Sequence, residues 1–233
     1  LIIDLQSKLR NTLILRRIPC ADFYSTTYKF NFCSNKADYI DNDNISEKTI
    51  YNLEKFYNTN IKTVNYSLES LDKNYIDEAK KLLPNNNYIG FSITQGNLYR
   101  KKSWPLEKFI ELAKKIEKMN KIPVFFVEES QKEIVNKIKL EVKGALFPEH
   151  ASSLSCPALV TALATRLEKA ISIDNGIMHM IGLASIPMIL LFGPTNAKKF
   201  SPNQKNIEIL DSKELYKVSD VSSIKLNDVF QKF

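Results

Sequence analysis

The sequence predicts an α/β protein built on a parallel sheet, and three observations point there. From residue 88 onward, short apolar runs alternate with stretches of helical periodicity about ten residues long, the pattern of successive βαβ units. The run at 122–127 is rich in branched and aromatic residues, as buried strands are. The runs at 170–173 and 188–192 end in polar turns, Asp174-Asn175-Gly176 and Gly193-Pro194-Thr195, where an α/β protein places its ligands.

Taken in order, 1–3 reads as a strand and 5–17 as an amphipathic helix, with Leu5, Leu9, Leu13 and Arg16 at helical spacing. Residues 23–32 alternate weakly, like a strand, and 46–57 is a helix with a serine cap at Ser46. Pro84-Asn85-Asn86-Asn87 is polar and opens on proline, which suits an interdomain linker. Next come a strand at 88–93 and a helix at 104–119, where Phe109, Ala113 and Ile116 share one face and Pro105 suits the first turn. After the strand at 122–127, residues 130–140 form a helix with Ile134, Val135 and Ile138 inward. A minimal strand follows at 145–147 and a helix at 157–166. The strand at 170–173, a helix from about Ile177 and the strand at 188–192 complete the alternation. Residues 224–233 read as a final helix capped by Ser222 or Ser223. There is no internal repeat and no low-complexity tract.

Of 233 residues, 44% are hydrophobic and 25% charged, an ordinary globular balance with length for one large domain or two smaller ones. No apolar run approaches the roughly 20 residues that span a bilayer. The formal net charge of +7 suits anionic partners such as nucleotide phosphates or an acidic glycolipid. The lysines are scattered, without a basic stripe interleaved with aromatics, so nucleic acid is not favoured. Cys20, Cys33 and Cys156 form no CxxC pair and fit reduced thiols in the cytosol rather than a disulfide frame or a zinc site. P-loop, GxGxxG and GxSxG motifs are missing. The chain opens on Leu1 without a secretory signal and reads like the middle of a protein, which gives the expectation that an amino-terminal portion precedes it.

Three places carry candidate chemistry. After 88–93, Thr94-Gln95-Gly96 leads to Tyr99-Arg100-Lys101-Lys102-Ser103-Trp104-Pro105. A hydroxyl, a glycine and three cations before a helix suit phosphate, and a solvated basic loop is the plainer alternative. In Ser172-Ile173-Asp174-Asn175-Gly176-Ile177-Met178-His179, Asp174 supplies a carboxylate where a strand stops. Asn175 and Gly176 let backbone N–H groups face a ligand, and His179 falls in the first helical turn. The plainer alternatives are Asp174 as a helix N-cap and His179 as a core or capping residue. Glu128-Glu129, closing the strand at 122–127, would accept bonds from ribose hydroxyls or else simply charge a helix start. His150 has no evident metal partners and reads as structural or exposed.

Together these residues resemble glycosyltransferase family 9, the lipopolysaccharide heptosyltransferase group. The resemblance rests on Lys101-Lys102-Ser103-Trp104-Pro105, the segment from Ser172 to His179, and Leu191-Phe192-Gly193-Pro194-Thr195, in family order between residues 88 and 202. A weaker likeness starts at Ile2-Ile3-Asp4-Leu5-Gln6.

The resemblance implies a GT-B fold of two Rossmann-like domains. A partial acceptor-side domain would cover 1–84, a nucleotide-sugar-binding domain 88–210, and a helix or tail 211–233. It implies ADP-L-glycero-D-manno-heptose or a similar nucleotide sugar as donor and a lipid A–Kdo core or other bacterial saccharide as acceptor. No cofactor and no metal are implied. The location would be cytoplasmic, with peripheral contact at the inner face of the inner membrane. Lys102 would bind the donor phosphate and stabilise departing ADP, with Thr94 beside it. Asp174 would hold sugar hydroxyls, Asn175, Gly176 and His179 would line the diphosphate turn, and Glu129 would contact the ribose. Transfer would invert the anomeric centre through an oxocarbenium-like state, and the family's base, an Asp, is expected upstream of residue 1. Two departures stand out: the family usually has Thr or Ser where Asn175 stands, and a Gly-rich segment where Val127-Glu128-Glu129 stands. The rival reading is a nucleotide-sugar-binding module that transfers nothing.

Overall fold

The computed structural model describes residues 1–61, 68–95 and 102–233. Gly96, Tyr99, Arg100 and Lys101 of the expected phosphate loop lie outside the described residues. The chain divides into two compact units, Leu1–Asn65 and Tyr66–Phe233.

The first unit opens with β1 (Ile2–Asp4), α1 (Leu9–Leu15) and β2 (Phe23–Ser25), a βαβ turn whose strands pair in parallel with Ile2 opposite Phe23. It closes with α2 (Ile45–Tyr57). The apolar periodicity of α1 does not face inward: Leu9 and Leu13 are 41% and 46% exposed, and Thr12 is the buried residue. Its hydroxyl donates to Asp4 Oδ2 at 2.6 Å and lies 3.0 Å from Ser25 Oγ and 2.7 Å from Thr27 Oγ1. All four side chains are buried, so this polar network, rather than the leucine spacing, sets which face turns in. β2 ends early because Tyr28, Lys29 and Phe30 take φ values of 48°, 54° and 67°, left-handed conformations that no strand accommodates. The cap of α2 is Asn44, not Ser46: Asn44 Oδ1 accepts from the N–H groups of Ser46 (2.9 Å) and Glu47 (3.2 Å). Tyr24, Phe30 and Phe56 form a small aromatic core.

The second unit begins with α3 (Lys73–Leu82) and continues β3 (Tyr88–Ser92), α4 (Leu106–Lys118), β4 (Ile122–Phe126), α5 (Lys132–Glu141), α6 (Pro157–Ala164), β5 (Leu167–Ile173), α7 (Gly176–Gly182) and β6 (Met188–Phe192). It ends with α8 (Ala197–Phe200), β7 (Ile207–Asp211), α9 (Ser212–Tyr216) and α10 (Leu226–Phe230). Five parallel strands lie in the order β4-β3-β5-β6-β7. The strand expected at 145–147 is a single parallel bridge from Leu146 to Val124 on the outer edge of β4. The edge strand β7 has no counterpart among the sequence expectations. Its Ile209 points out, 41% exposed, so the segment lacks a continuous buried run.

The chain crosses between units before Tyr66, not at 84–87. Leu83 is fully buried, and the Arg166 guanidinium donates to the carbonyls of Leu83 (3.1 Å), Pro84 (3.3 Å) and Asn85 (3.0 Å). That grip makes the expected linker a fixed entry into β3. The segment 211–233 is likewise no separate tail. Ile224 and Val229 join the core beside Phe109 and Ile116, and Trp104 Nε1 donates to Ile224 O at 2.8 Å. Ser222 and Ser223 do not cap α10. They lie in a short 3-10 turn capped by Asp220, and α10 starts after Lys225.

Two apolar layers sandwich the sheet. α4, α5 and α10 cover one face, and α3, α6, α7 and α8 cover the other. β4 follows β3 on one side, whereas β5, β6 and β7 are laid down on the other. The winding therefore reverses between β3 and β5, and a crevice opens outside the carboxyl ends of those two strands.

Candidate functional site

The reversal point brings together residues far apart in sequence. β3 runs out through Ser92 and Thr94, and β5 through Asp174 and Asn175. The side chain of Asn175 ties the two exits. Its Nδ2 donates to Ser92 Oγ at 2.7 Å and to Thr94 O at 2.8 Å, while its Oδ1 accepts from Met178 N–H at 2.9 Å. Asn175 is therefore the N-cap of α7, the role that the plainer reading had offered to Asp174. Its amide is spent on protein partners. Thr94 enters this arrangement through its carbonyl.

Asp174 is freed from capping and forms an ion pair with Lys102, which reaches in from the segment preceding α4. Both side chains are largely withdrawn from water, 12% exposed for Lys102 and 10% for Asp174. The Lys102 backbone N–H donates to Gln95 Oε1 at 2.9 Å. Two residues on, Trp104 is buried and anchored to Ile224 O, which fixes where Lys102 leaves the fold. One lysine cation and one carboxylate thus meet at the crevice between β3 and β5.

Gly176 opens α7. A methyl group on it would meet nothing within 4 Å, and its φ is not positive, so neither packing nor backbone conformation calls for glycine. The absent side chain leaves open space next to Asp174. His179 is exposed on α7, and desolvation by the surrounding protein holds its pKa below the ordinary histidine value, with Asp174 acting the opposite way. The imidazole is neutral at pH 7 and offers a hydrogen bond rather than a charge.

Glu129 is not a partner in the Lys102–Asp174 ion pair. It lines a cavity of about 450 Å³ at the carboxyl end of β4, together with Val127, Glu149, Cys156, Ile177 and Met180. The last two residues belong to α7, so the cavity and the Asp174 turn flank the same helix. Burial raises the Glu149 carboxyl above its ordinary pKa. His150 is structural: its ring stacks on Phe147 and Nε2 sits 2.7 Å from Val127 O. Among the described residues no group of three or more His, Cys, Asp or Glu side chains is placed to hold a metal ion. No helix there is long and apolar enough to cross a membrane.

The turn after β6 serves packing. A methyl group on Gly193 would stand 2.7 Å from the Val221 backbone nitrogen, and Thr195 Oγ1 is buried without a partner. Sequence reasoning gave no role to Ser92 or to Gln95, which it named only as part of the candidate turn, and it missed Glu149. A serine closing the apolar run at 88–92 was the visible signal for the first, and the polar residue after Thr94 for the second. Nothing marked Glu149, which reaches the cavity only through the turn at 148–151.

No curated protein sequence matches the chain. Among solved structures, the family 9 glycosyl transferase of Veillonella parvula superposes with a TM-score of 0.75 at 20% identity, over 99% of this chain and 72% of that one. E. coli heptosyltransferase WaaC with ADP gives a TM-score of 0.71 at 16% identity, over 98% and 70%. E. coli ADP-heptose lipopolysaccharide heptosyltransferase II gives 0.56 at 15% identity, over 70% and 51%. The parallel α/β architecture is thus that of GT-B-like glycosyltransferases. The model of glycosyltransferase family 9 (heptosyltransferase) matches residues 1–229, and the chain belongs to that family of glycosyltransferase enzymes.

Proposed function

We propose that this chain binds the nucleotide-sugar donor of a heptosyl transfer, with ADP-heptose or a close relative as donor and a lipopolysaccharide core saccharide as acceptor. The observation that carries the reading is the Lys102–Asp174 pair at the reversal point of the sheet, beside the space that Gly176 leaves open. An ADP-sugar presents a diphosphate for the cation and a hydroxyl-rich ring for the carboxylate. The cavity lined in part by α7, about 450 Å³ and carrying Glu129 and Glu149, has the size and acceptor groups for a nucleoside. The solved WaaC structures contain ADP and ADP-2-deoxy-2-fluoro heptose, which supports the same ligand class here.

In this reading the reaction inverts the anomeric centre. As the glycosidic bond breaks, negative charge grows on the leaving diphosphate, and Lys102 stabilises it without a metal ion. His179, neutral at pH 7, donates a hydrogen bond to the same group, and Asn175 keeps the turn in place. The acceptor hydroxyl loses its proton to a base not assigned among these residues. The enzyme acts on the cytoplasmic side, at the membrane surface where its acceptor resides.

Titration calorimetry with ADP tests the reading. A charge-assisted hydrogen bond contributes about 1.5–3 kcal/mol, so Lys102→Ala should weaken ADP binding on the order of tenfold to a hundredfold. Unchanged affinity in a folded Lys102→Ala protein would overturn it. A transfer assay with ADP-heptose then separates an enzyme from a module that only binds.

A further inference from the structure

The donor-site reading gives Lys102 to the diphosphate and Asp174 to the sugar, yet the structure shows the two bound to each other. A largely buried ion pair constrains any ligand that enters. Removing one partner leaves the other charge desolvated and unpaired, a state far costlier than the intact pair. Any anion that takes Lys102 must therefore provide for Asp174 as well. The surroundings offer Asp174 little help: the amide of Asn175 next to it is committed to Ser92, Thr94 and Met178. At 10% exposure, water reaches the carboxylate poorly.

We propose that Asp174 is a specificity-determining latch, which makes this site favour a sugar-bearing nucleotide over the bare nucleoside diphosphate. The proposal rests on the donor-site reading. Asp174 holds Lys102 in an ion pair. An incoming donor exchanges this pair: Lys102 turns to the diphosphate, and the released carboxylate accepts hydrogen bonds from the sugar hydroxyls. A bare nucleoside diphosphate takes Lys102 equally well but brings no hydroxyls to that end, so Asp174 is left buried and unpaired. The same imbalance acts after transfer. Once the sugar has gone, Asp174 competes with the product diphosphate for Lys102 and speeds its departure.

The latch predicts an effect of unusual sign. A residue that merely lines a binding site loses affinity for every ligand when altered. Here Asp174→Asn, nearly isosteric and uncharged, should bind ADP about tenfold more tightly than the unaltered protein, while ADP-heptose binds no more tightly or more weakly. The preference for the sugar nucleotide should collapse. Loss of a negative charge anywhere nearby would also favour an anion, so the cycle is completed with Lys102→Met. If Asp174 acts through Lys102, Asp174→Asn gains nothing for ADP in the Lys102→Met background; a long-range charge effect would survive there. Asp174→Ser, which keeps a hydroxyl for the sugar, is the second variant should Asp174→Asn fail to fold.

The measurement is calorimetry on the whole chain with ADP and ADP-heptose, alongside thermal denaturation to establish folding. Weaker or unchanged ADP binding in folded Asp174→Asn or Asp174→Ser overturns the latch and leaves the donor site standing. A gain that persists with Lys102→Met also overturns it. If the unaltered protein binds neither ligand, the donor-site reading fails and the latch with it.

Discussion

At the scale of single residues, two glycines in the family motifs have opposite reasons to be glycine. A methyl group on Gly193 would stand 2.7 Å from the Val221 backbone nitrogen, and backbone cannot step aside. Gly193→Ala should cost about 1–3 kcal/mol of stability, as overpacking does. A methyl group on Gly176 meets nothing within 4 Å. Gly176→Ala should leave stability unchanged or raise it by up to about 1 kcal/mol, since alanine is the better helix former. Its effect should appear in ADP binding, because the methyl fills space beside Asp174. Urea denaturation with ADP titration of both variants checks the contrast. Gly176→Ala binding ADP like the unaltered protein would remove that turn from the donor site. The motif residues themselves were legible in the sequence, but their division of labour was not. Asp174 and Asn175 are neighbours of similar capping ability, and only the fold shows that Asn175 caps. The partner of Asp174 lies 72 residues away, beyond the reach of any local pattern.

At the scale of elements, legibility tracked burial. β3 and β6 are buried at every position and β4 at all but its first, so they stand out as apolar runs. α4 buries Phe109, Ala113 and Ile116 together with Ile110 and Leu112, and its face was plain. α1 failed as a pattern because its inward residue is polar. Thr12 serves Asp4, Ser25 and Thr27 at 2.6, 3.0 and 2.7 Å, a closed network that hydrophobic periodicity cannot register. The β1–α1–β2 turn should therefore depend on one hydroxyl. Thr12→Val keeps the shape and deletes that hydroxyl, leaving Asp4, 3% exposed, short of a donor. The loss should be about 1–3 kcal/mol. Thr12→Ser, which keeps the hydroxyl, should lose clearly less. A loss in Thr12→Ser as large as that in Thr12→Val, read by urea denaturation, would show that the hydroxyl counts for no more than the methyl contacts and would overturn the special dependence on the network.

At the scale of the whole molecule, the two units are built to different standards. The second has five parallel strands covered on both faces, with cores drawn from both helical layers. The first has a two-stranded parallel sheet and a three-residue aromatic core, while Ile3, Leu5, Leu9, Leu13, Ile14 and Ile18 remain 41–57% exposed. A parallel pair draws its stability from covered faces, and a two-stranded sheet alone is marginal in water. Cooperative units of one protein open with separate free energies, and those with few buried apolar contacts open first. The amides of β1 and β2 should therefore exchange with deuterium well before those of β3, β5 and β6, by about two orders of magnitude if the opening energies differ by roughly 3 kcal/mol. ADP bound at the β3–β5 crevice should slow exchange in the second unit and leave this order intact. The measurement is hydrogen exchange read by mass spectrometry, with and without ADP. Protection of β1 and β2 equal to that of β5 would mean that the first unit shares the stability of the second, and that its exposed apolar residues carry no such cost.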